Sequence, residues 1–226
     1  RHGLLSVSNR PKWRTIVGGS SQYIEPLSAG FRDRIRLSTP VLGVERFDDQ
    51  VQVCTSAGNE GFDQVILACH SDQSLKLLTD VSAVERNTLE AIRYQANEVV
   101  LHTDIGQLPR NRRAWASWNY RLTEGGENLL PKVTYDMNRL MGIEAKERFC
   151  VTLNNSADIA PEHVLGRFNY AHPIFTHSGV EAQERWEGIN GQRRTWFCGA
   201  WWGKGFHEDG VVSARRVVDA LSTAHP

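Results

Sequence analysis

Trp196-Phe-Cys-Gly-Ala-Trp-Trp-Gly-Lys-Gly-Phe-His-Glu-Asp-Gly-Val-Val-Ser-Ala-Arg-Arg-Val-Val-Asp-Ala-Leu221 is the stretch on which the reading of this chain turns. It has three parts. Thr195 to Cys198 is a short apolar run that suits a buried strand. Gly199 to Gly210 is a loop containing Gly199, Gly203, Gly205 and Gly210. From there on, Val211, Ala214, Val217, Val218 and Leu221 fall at i, i+3 and i+4 spacings, which predicts a helix with one buried face. Asp209 and Gly210 stand where its N-cap belongs.

A strand, a glycine-rich loop and a helix N-terminus together suit an electron-rich ligand. The first helical N–H groups have no partner inside the helix, and the macrodipole adds partial positive charge there. Glycine lets a flat or charged ligand come close to the backbone. Two readings stand at this level: a ligand cradle, or a strand-turn-helix corner whose glycines only relieve crowding.

Working outward, 226 residues suit one sizeable domain or two small ones. The charge balance is even, 26 basic against 26 acidic residues, which argues against a nucleic-acid binder. Mean hydropathy is −0.42, that of a soluble globular chain. No apolar run nears the roughly 18 residues of a transmembrane helix, so no membrane span is expected. Cys54, Cys69, Cys150 and Cys198 form no Cys-x-x-Cys pair. They read as thiols buried in a reducing, cytoplasmic setting, and no metal centre is expected.

In chain order, Pro11, Trp13 and Ile16 suggest an anchored extended segment. Gly18-Gly19-Ser20-Ser21 turns into a short helix through Tyr23, Ile24 and Leu27. Residues 35–70 read as strands, with the run from Phe62 to Cys69 predicted to be a fully buried one. His70 to Leu78 and Val81 to Ile92 read as helices, and Tyr94 to His102 as a strand. The three arginines in Arg110–Arg113 fit a solvated turn or an anion contact. Trp115, Trp118 and Tyr120 alternate with smaller residues, as on a strand with one aromatic face, which is either core or substrate wall. Strands follow at Val133 and at Phe149 to Leu153, the first running into a short helix. His172, in Tyr-Ala-His-Pro-Ile-Phe, is either a core histidine or an active-site one. Val180 to Trp186 has helical spacing. Composition shifts near His70 and Gly191 divide the chain into 1–70, 71–191 and 192–226.

Phe197-Cys-Gly-Ala-Trp-Trp-Gly-x-Gly-Phe-His-Glu-Asp-Gly-Val-x-Ser213 resembles the C-terminal flavin-binding segment of the flavin-containing amine oxidase superfamily. Asn97-Glu-Val-Val-Leu-His-Thr-Asp-Ile-Gly-Gln-Leu-Pro109, followed by Ala114-Trp-Ala-Ser-Trp-Asn-Tyr120, resembles its bacterial amine oxidoreductase-like branch. The resemblance implies a mixed α/β (α+β) chain. Residues 1–70 and 192–226 would be parts of an FAD-binding domain, namely a β-meander, the last strand and the C-terminal helix. Residues 71–191 would form a mixed-sheet substrate domain. It implies FAD contacts at Gly199, Ala200, Trp202, Gly203, Gly205, Asp209, Gly210, Val211 and Val212. His207, Glu208 and His172 become the candidate catalytic groups. Lys204, Trp115, Trp118 and Tyr120 become candidate substrate contacts. Two positions depart from the superfamily pattern: Lys204 stands where Tyr is usual, and Ala214 where Gly is usual.

The superfamily opens with a Gly-x-Gly-x-x-Gly turn, and this chain has none. The expectation is therefore the C-terminal half of a larger flavoprotein, its main partners the missing N-terminal half and a small-molecule substrate. Alone, such a half would be inactive, lack FAD and self-associate through exposed apolar surface. The implied function of the whole is FAD-dependent oxidation or desaturation, through flavin N5, of an amine or an apolar, lipid-like substrate. A flavin-dependent non-redox isomerase or mutase, and a non-catalytic interaction domain, are the alternatives.

Overall fold

A computed structural model of the chain describes residue 8, residues 14–122 and residues 130–224. The segment around Pro11 and Trp13 and most of the loop after Leu122 lie outside the described residues. The chain folds as two units, one of Arg1–Ile35 and Ala96–Tyr170, the other of Arg36–Gln95 and Ala171–Pro226. These boundaries fall elsewhere than the composition shifts near His70 and Gly191. The helices that follow His70 pack on the meander before it, so contact carries the second unit past that point.

In the second unit, strands β1 (Val41–Arg46), β2 (Val51–Thr55) and β3 (Gly58–Phe62) form an antiparallel meander. Gly58, at φ +125°, takes a backbone conformation that a side chain would oppose. Next comes β4 (Val65–Leu67), which pairs in parallel with β10 (Thr195–Phe197). Parallel pairing needs a long crossover, here some 130 residues of chain. The run from Phe62 to Cys69 is thus a three-residue strand rather than a long buried one, and Ile66 is 42% exposed.

Five helices complete this unit: α2 (Ser71–Leu77), α3 (Ala83–Ala91), α5 (His177–Gln183), α6 (Trp186–Ile189) and α7 (His207–Ala224). A reciprocal capping box starts α3: Glu85 N–H donates to Ser82 Oγ (3.3 Å) and Ser82 N–H to Glu85 Oε2 (2.8 Å). The core gathers Val44, Val51, Leu67, Leu78, Leu89, Ile189, Phe197 and Trp201. Through it runs a buried charge cluster. Arg46, on β1, donates to Asp80 Oδ1 (2.9 Å) and Glu85 Oε2 (3.0 Å), and also pairs with Glu85 Oε1. Arg193 pairs with Asp80 from the other side.

In the first unit, a single-turn 3-10 helix at Ser20–Tyr23 leads into α1 (Ile24–Ser28). The rest is built on a five-stranded sheet of β5 (Arg93–His102), β6 (Trp118–Arg121), β7 (Lys132–Asp136), β8 (Cys150–Leu153) and β9 (Val164–Ile174), in the order β6-β7-β8-β5-β9. The short α4 (Met137–Met141) is capped by Asp136 and ends at Gly142, whose φ of +67° closes it with a left-handed residue.

Candidate functional site

The glycine loop follows β10 directly and folds back on itself. Gly203 N–H and Gly205 N–H both donate to Ala200 O (3.0 and 3.1 Å), and Trp202 N–H donates to Gly199 O (3.2 Å). Two indoles anchor it: Trp201 Nε1 donates to Cys69 O and Trp202 Nε1 to Phe197 O, each at 3.0 Å. Their rings stack at 4.4 Å. Gln183, on α5, donates to both Trp201 O (2.8 Å) and Gly203 O (2.6 Å). Gln183 escaped the sequence reading because a side chain some 20 residues upstream gives no local signal of what it will hold.

The glycines have different reasons. A Cβ at Gly199 would collide with the Trp201 indole, and one at Gly203 would lie 2.7 Å from the Asp209 carboxyl carbon. Gly205 has φ +83°. At Gly210 nothing among the described residues objects: of these a Cβ would meet only Ala200, at 3.9 Å. A glycine inside a helix costs about 1 kcal/mol against alanine, so its presence at Gly210 is not explained by the chain's own packing.

The final helix begins four residues earlier than its spacing suggests, at His207 rather than Val211. Asp209 is the cause. Its Oδ2 accepts the N–H of Phe206 at 2.8 Å, the acidic half of a capping box, which makes Phe206 the N-cap and Asp209 the third helical residue. Gly210 N–H then donates to Phe206 O, at 3.3 Å. The amides ahead of the i→i−4 ladder are those of His207, Glu208 and Asp209. Those of Val211 and Val212 lie inside the helix. The buried face differs as well. Ser213 and Val217 point inward, while Val211, Ala214 and Val218 are exposed. Ser213, also unforeseen, uses its hydroxyl to accept Gly199 N–H at 3.1 Å, tying the loop to the helix.

His207, Glu208 and Lys204 are all exposed in this corner, and Ala200, Trp202, Gly203, Asp209 and Gly210 are half-buried in it. His172 belongs to the same unit, on the last part of β9, and is exposed, so the core reading of it does not hold. The thiol of Cys198, buried beside the loop, is pushed up by burial, with Cys69 adding to the effect.

In the first unit, register puts Trp118 opposite Tyr135 and Tyr120 opposite Val133. Val151, Leu153, Leu101 and Val99 continue the same two rows across β8 and β5. One face of four strands is therefore apolar and uncharged at eight positions. Trp118 is 45% and Tyr120 62% exposed, with Trp118 edge-on to Tyr135 at 6.2 Å. Asn119, between them, is the buried one. Trp115 stands apart, ahead of β6, its indole N–H donating to Pro109 O at 2.7 Å.

No curated protein sequence matches the chain. Among solved structures, the chain is similar to a CLA-producing fatty acid isomerase from P. acnes, with 18% identity, a TM-score of 0.61 and coverage of 89% of this chain and 52% of that one. It is also similar to a protein described as a protoporphyrinogen oxidase from Exiguobacterium sp. 255-15, with 17% identity, a TM-score of 0.59 and coverage of 92% and 51%. A third is cyclohexylamine oxidase from Brevibacterium oxydans IH-35A, with 10% identity, a TM-score of 0.54 and coverage of 91% and 53%. These likenesses are likenesses of fold, and the chain spans about half the length of each of the three. The model of the flavin containing amine oxidoreductase family matches residues 5–222, and the chain belongs to that family.

Proposed function

We propose that this chain serves an FAD-dependent oxidoreductase, with the corner from Gly199 to Val212 touching the cofactor and the aromatic sheet face touching the substrate. The observation that carries the reading is Gly210. It leaves room beside a helix N-terminus that a single Cβ would enter, and the chain itself has no use for that room. A flat, electron-rich ring fits there. The backbone at Gly203, Gly205 and Gly210 lets it approach, and the amides of His207, Glu208 and Asp209 would favour negative charge near them. Bound there, FAD supplies the two-electron chemistry, at N5, while the protein supplies orientation and electrostatics. Asp209 fixes the helix start that aims those amides. His207 and Glu208, on the first turn of that helix, and His172, on β9, remain the candidate side chains to act on a substrate proton, and Lys204 offers a cation at the loop's outer edge.

The substrate wall rests on Trp118 and Tyr120. Its lack of charge suits an apolar, lipid-like substrate, or the uncharged part of an amine. That the chain spans about half of its solved relatives supports a further reading: the other half of the cofactor cleft comes from N-terminal sequence of the same protein, without which the chain is inactive, holds no FAD and self-associates. The four unpaired thiols support a cytoplasmic setting, and no helix among the described residues is long and apolar enough to cross a membrane. A non-redox isomerase is the second reading, favoured by the fatty acid isomerase among the similar folds. Turnover without an external electron acceptor distinguishes it.

Gly210→Ala and Gly210→Val test the main reading. The alanine variant should fold as well as the parent or up to about 1 kcal/mol better, because alanine is the better helix former. Flavin content, read from visible absorbance of the intact flavoprotein, should fall with alanine and vanish with valine. Full flavin content in both variants removes the role assigned to this corner.

A further inference from the structure

Residues 105–123 contain Arg110, Arg112, Arg113 and Arg121 and not one Asp or Glu. Arg121 is paired with Asp158, at 3.4 Å. The other three are exposed, and among the described residues none of them makes an ion pair. Their placement is built rather than loose. Asn111 caps the 3-10 turn Arg112–Ala114 by accepting Arg113 N–H at 3.0 Å. The Trp115 ring, fixed through Pro109 O, carries the guanidinium of Arg112 at 5.4 Å from its centroid and that of Arg148 at 5.5 Å. Asp136, the carboxylate next to Arg148, is fully buried and shared with Arg139, so it offers no outward charge. Exposed Glu144 and Glu147 flank Lys146 and offset only part of the excess. Ile105, 45% exposed, adds an aliphatic group to the same stretch.

Exposed guanidinium groups in such excess are complementary to oxyanions, and guanidinium binds phosphate in two-point fashion. Arginine, tryptophan and an exposed aliphatic side chain together make the composition of surfaces that rest at the headgroup level of an anionic leaflet. We propose that residues 105–115, with Arg148, form a docking surface for an anionic lipid bilayer, in which Arg110, Arg112 and Arg113 engage phosphodiester headgroups and Ile105 and Trp115 reach the acyl boundary. This surface is separate from the Trp118–Tyr120 face and stands independently of the cofactor reading. It holds the protein where apolar substrates are dissolved.

The test is sedimentation of the full chain with vesicles of phosphatidylcholine, with and without phosphatidylglycerol, at low and high salt. Binding should require phosphatidylglycerol and should weaken at high salt as the charges are screened. Each arginine contributes about fivefold at low salt, so Arg112→Ala with Arg113→Ala should weaken binding about twenty-five-fold. Arg215→Ala, an exposed arginine of α7, should bind as the parent does. Absence of binding, equal binding to neutral vesicles, or an equal loss with Arg215→Ala overturns the proposal. Tighter binding to polyglutamate than to vesicles also overturns it, in favour of an acidic protein partner. Circular dichroism confirms that each variant is folded.

Discussion

The two units bury different chemistry. In the second, the interior is mostly aliphatic and aromatic, and its charged members are matched: Arg46 against Glu85 and Asp80, with Arg193 completing Asp80. In the first, the buried face of the sheet is largely polar: the fully buried Asp136 carboxylate pairs with Arg139 and Arg148, and the rest is held by neutral hydrogen bonds. His102 Nε2 meets Thr152 Oγ1 at 2.7 Å, Thr152 Oγ1 meets Thr134 Oγ1 at 2.8 Å, and Asn119 donates to Thr134 O at 3.2 Å. Asp104 N–H donates to His102 Nδ1 (3.1 Å), so Nδ1 is the acceptor and Nε2 carries the proton. On its other face the same sheet leaves Trp118 and Tyr120 exposed, although Val99 on that face is buried. An apolar core tolerates one charged knot when every member is paired. A sheet that shows its apolar face elsewhere must specify its other face by hydrogen bonds, which are worth less each but fix register.

The sharpest way to break this contrast is at Glu85. Glu85→Gln keeps the shape, and its amide oxygen can still accept Ser82 N–H, but it leaves the buried Arg46 guanidinium short of a countercharge. Loss of one partner of a buried pair costs about 3–5 kcal/mol. Chemical denaturation should show a loss of that size. A loss below about 1 kcal/mol, the value of a surface pair, would mean that the knot is solvated in solution.

A smaller effect is expected in the other unit. His102→Leu keeps the volume of a fully buried side chain but strands the Asp104 amide and takes the imidazole donor from Thr152. Buried groups left without partners cost about 1–3 kcal/mol. Amide exchange in β8 should quicken while that in β2 stays as it was. Equal quickening in both would show that the two interiors do not differ in the way the geometry indicates.

Much of this was legible in the sequence, and the exceptions share a cause. Strands β5, β7, β8 and β10 and helices α2 and α3 follow from local periodicity. The helix N-terminus did not, because the pattern Val211, Ala214, Val218 marks an apolar stripe without saying whether anything covers it, and Asp209 is as suitable at the third helical position as at the cap. The exposed Trp118 and Tyr120 were legible as a face, but its direction was not: the burial of Asn119, Thr134 and Thr152 shows which side of the sheet is inside. Polar cores of this kind run against the usual link between hydrophobicity and burial. Gln183 and Ser213, which tie the glycine loop down, were invisible because their partners are backbone atoms far away in sequence.

The smallest predicted effect is also the one that sharpens the contrast without any mutation. Burial holds the His102 imidazole below its ordinary pKa, despite the opposing pull of Asp104. The folded chain therefore resists a proton that the unfolded chain accepts once the pH drops below about 6.5. In that window the unfolded state binds more protons, so stability rises with pH and is lost on acidification. Glu85 also has a lowered pKa, but from a different cause and with a more acidic window. Burial would raise its pKa, but hydrogen bonds from Arg46 and Ser82 outweigh that and hold it low. Its contribution is complete above about 4.3, the unfolded value, and disappears only as the pH falls through the lower folded value. Acidification from about pH 7 to about pH 5.5 should therefore lower amide protection around β8 while leaving α3 unchanged, and His102→Leu should abolish that difference. If α3 loses protection first, the charged knot is the weaker of the two interiors.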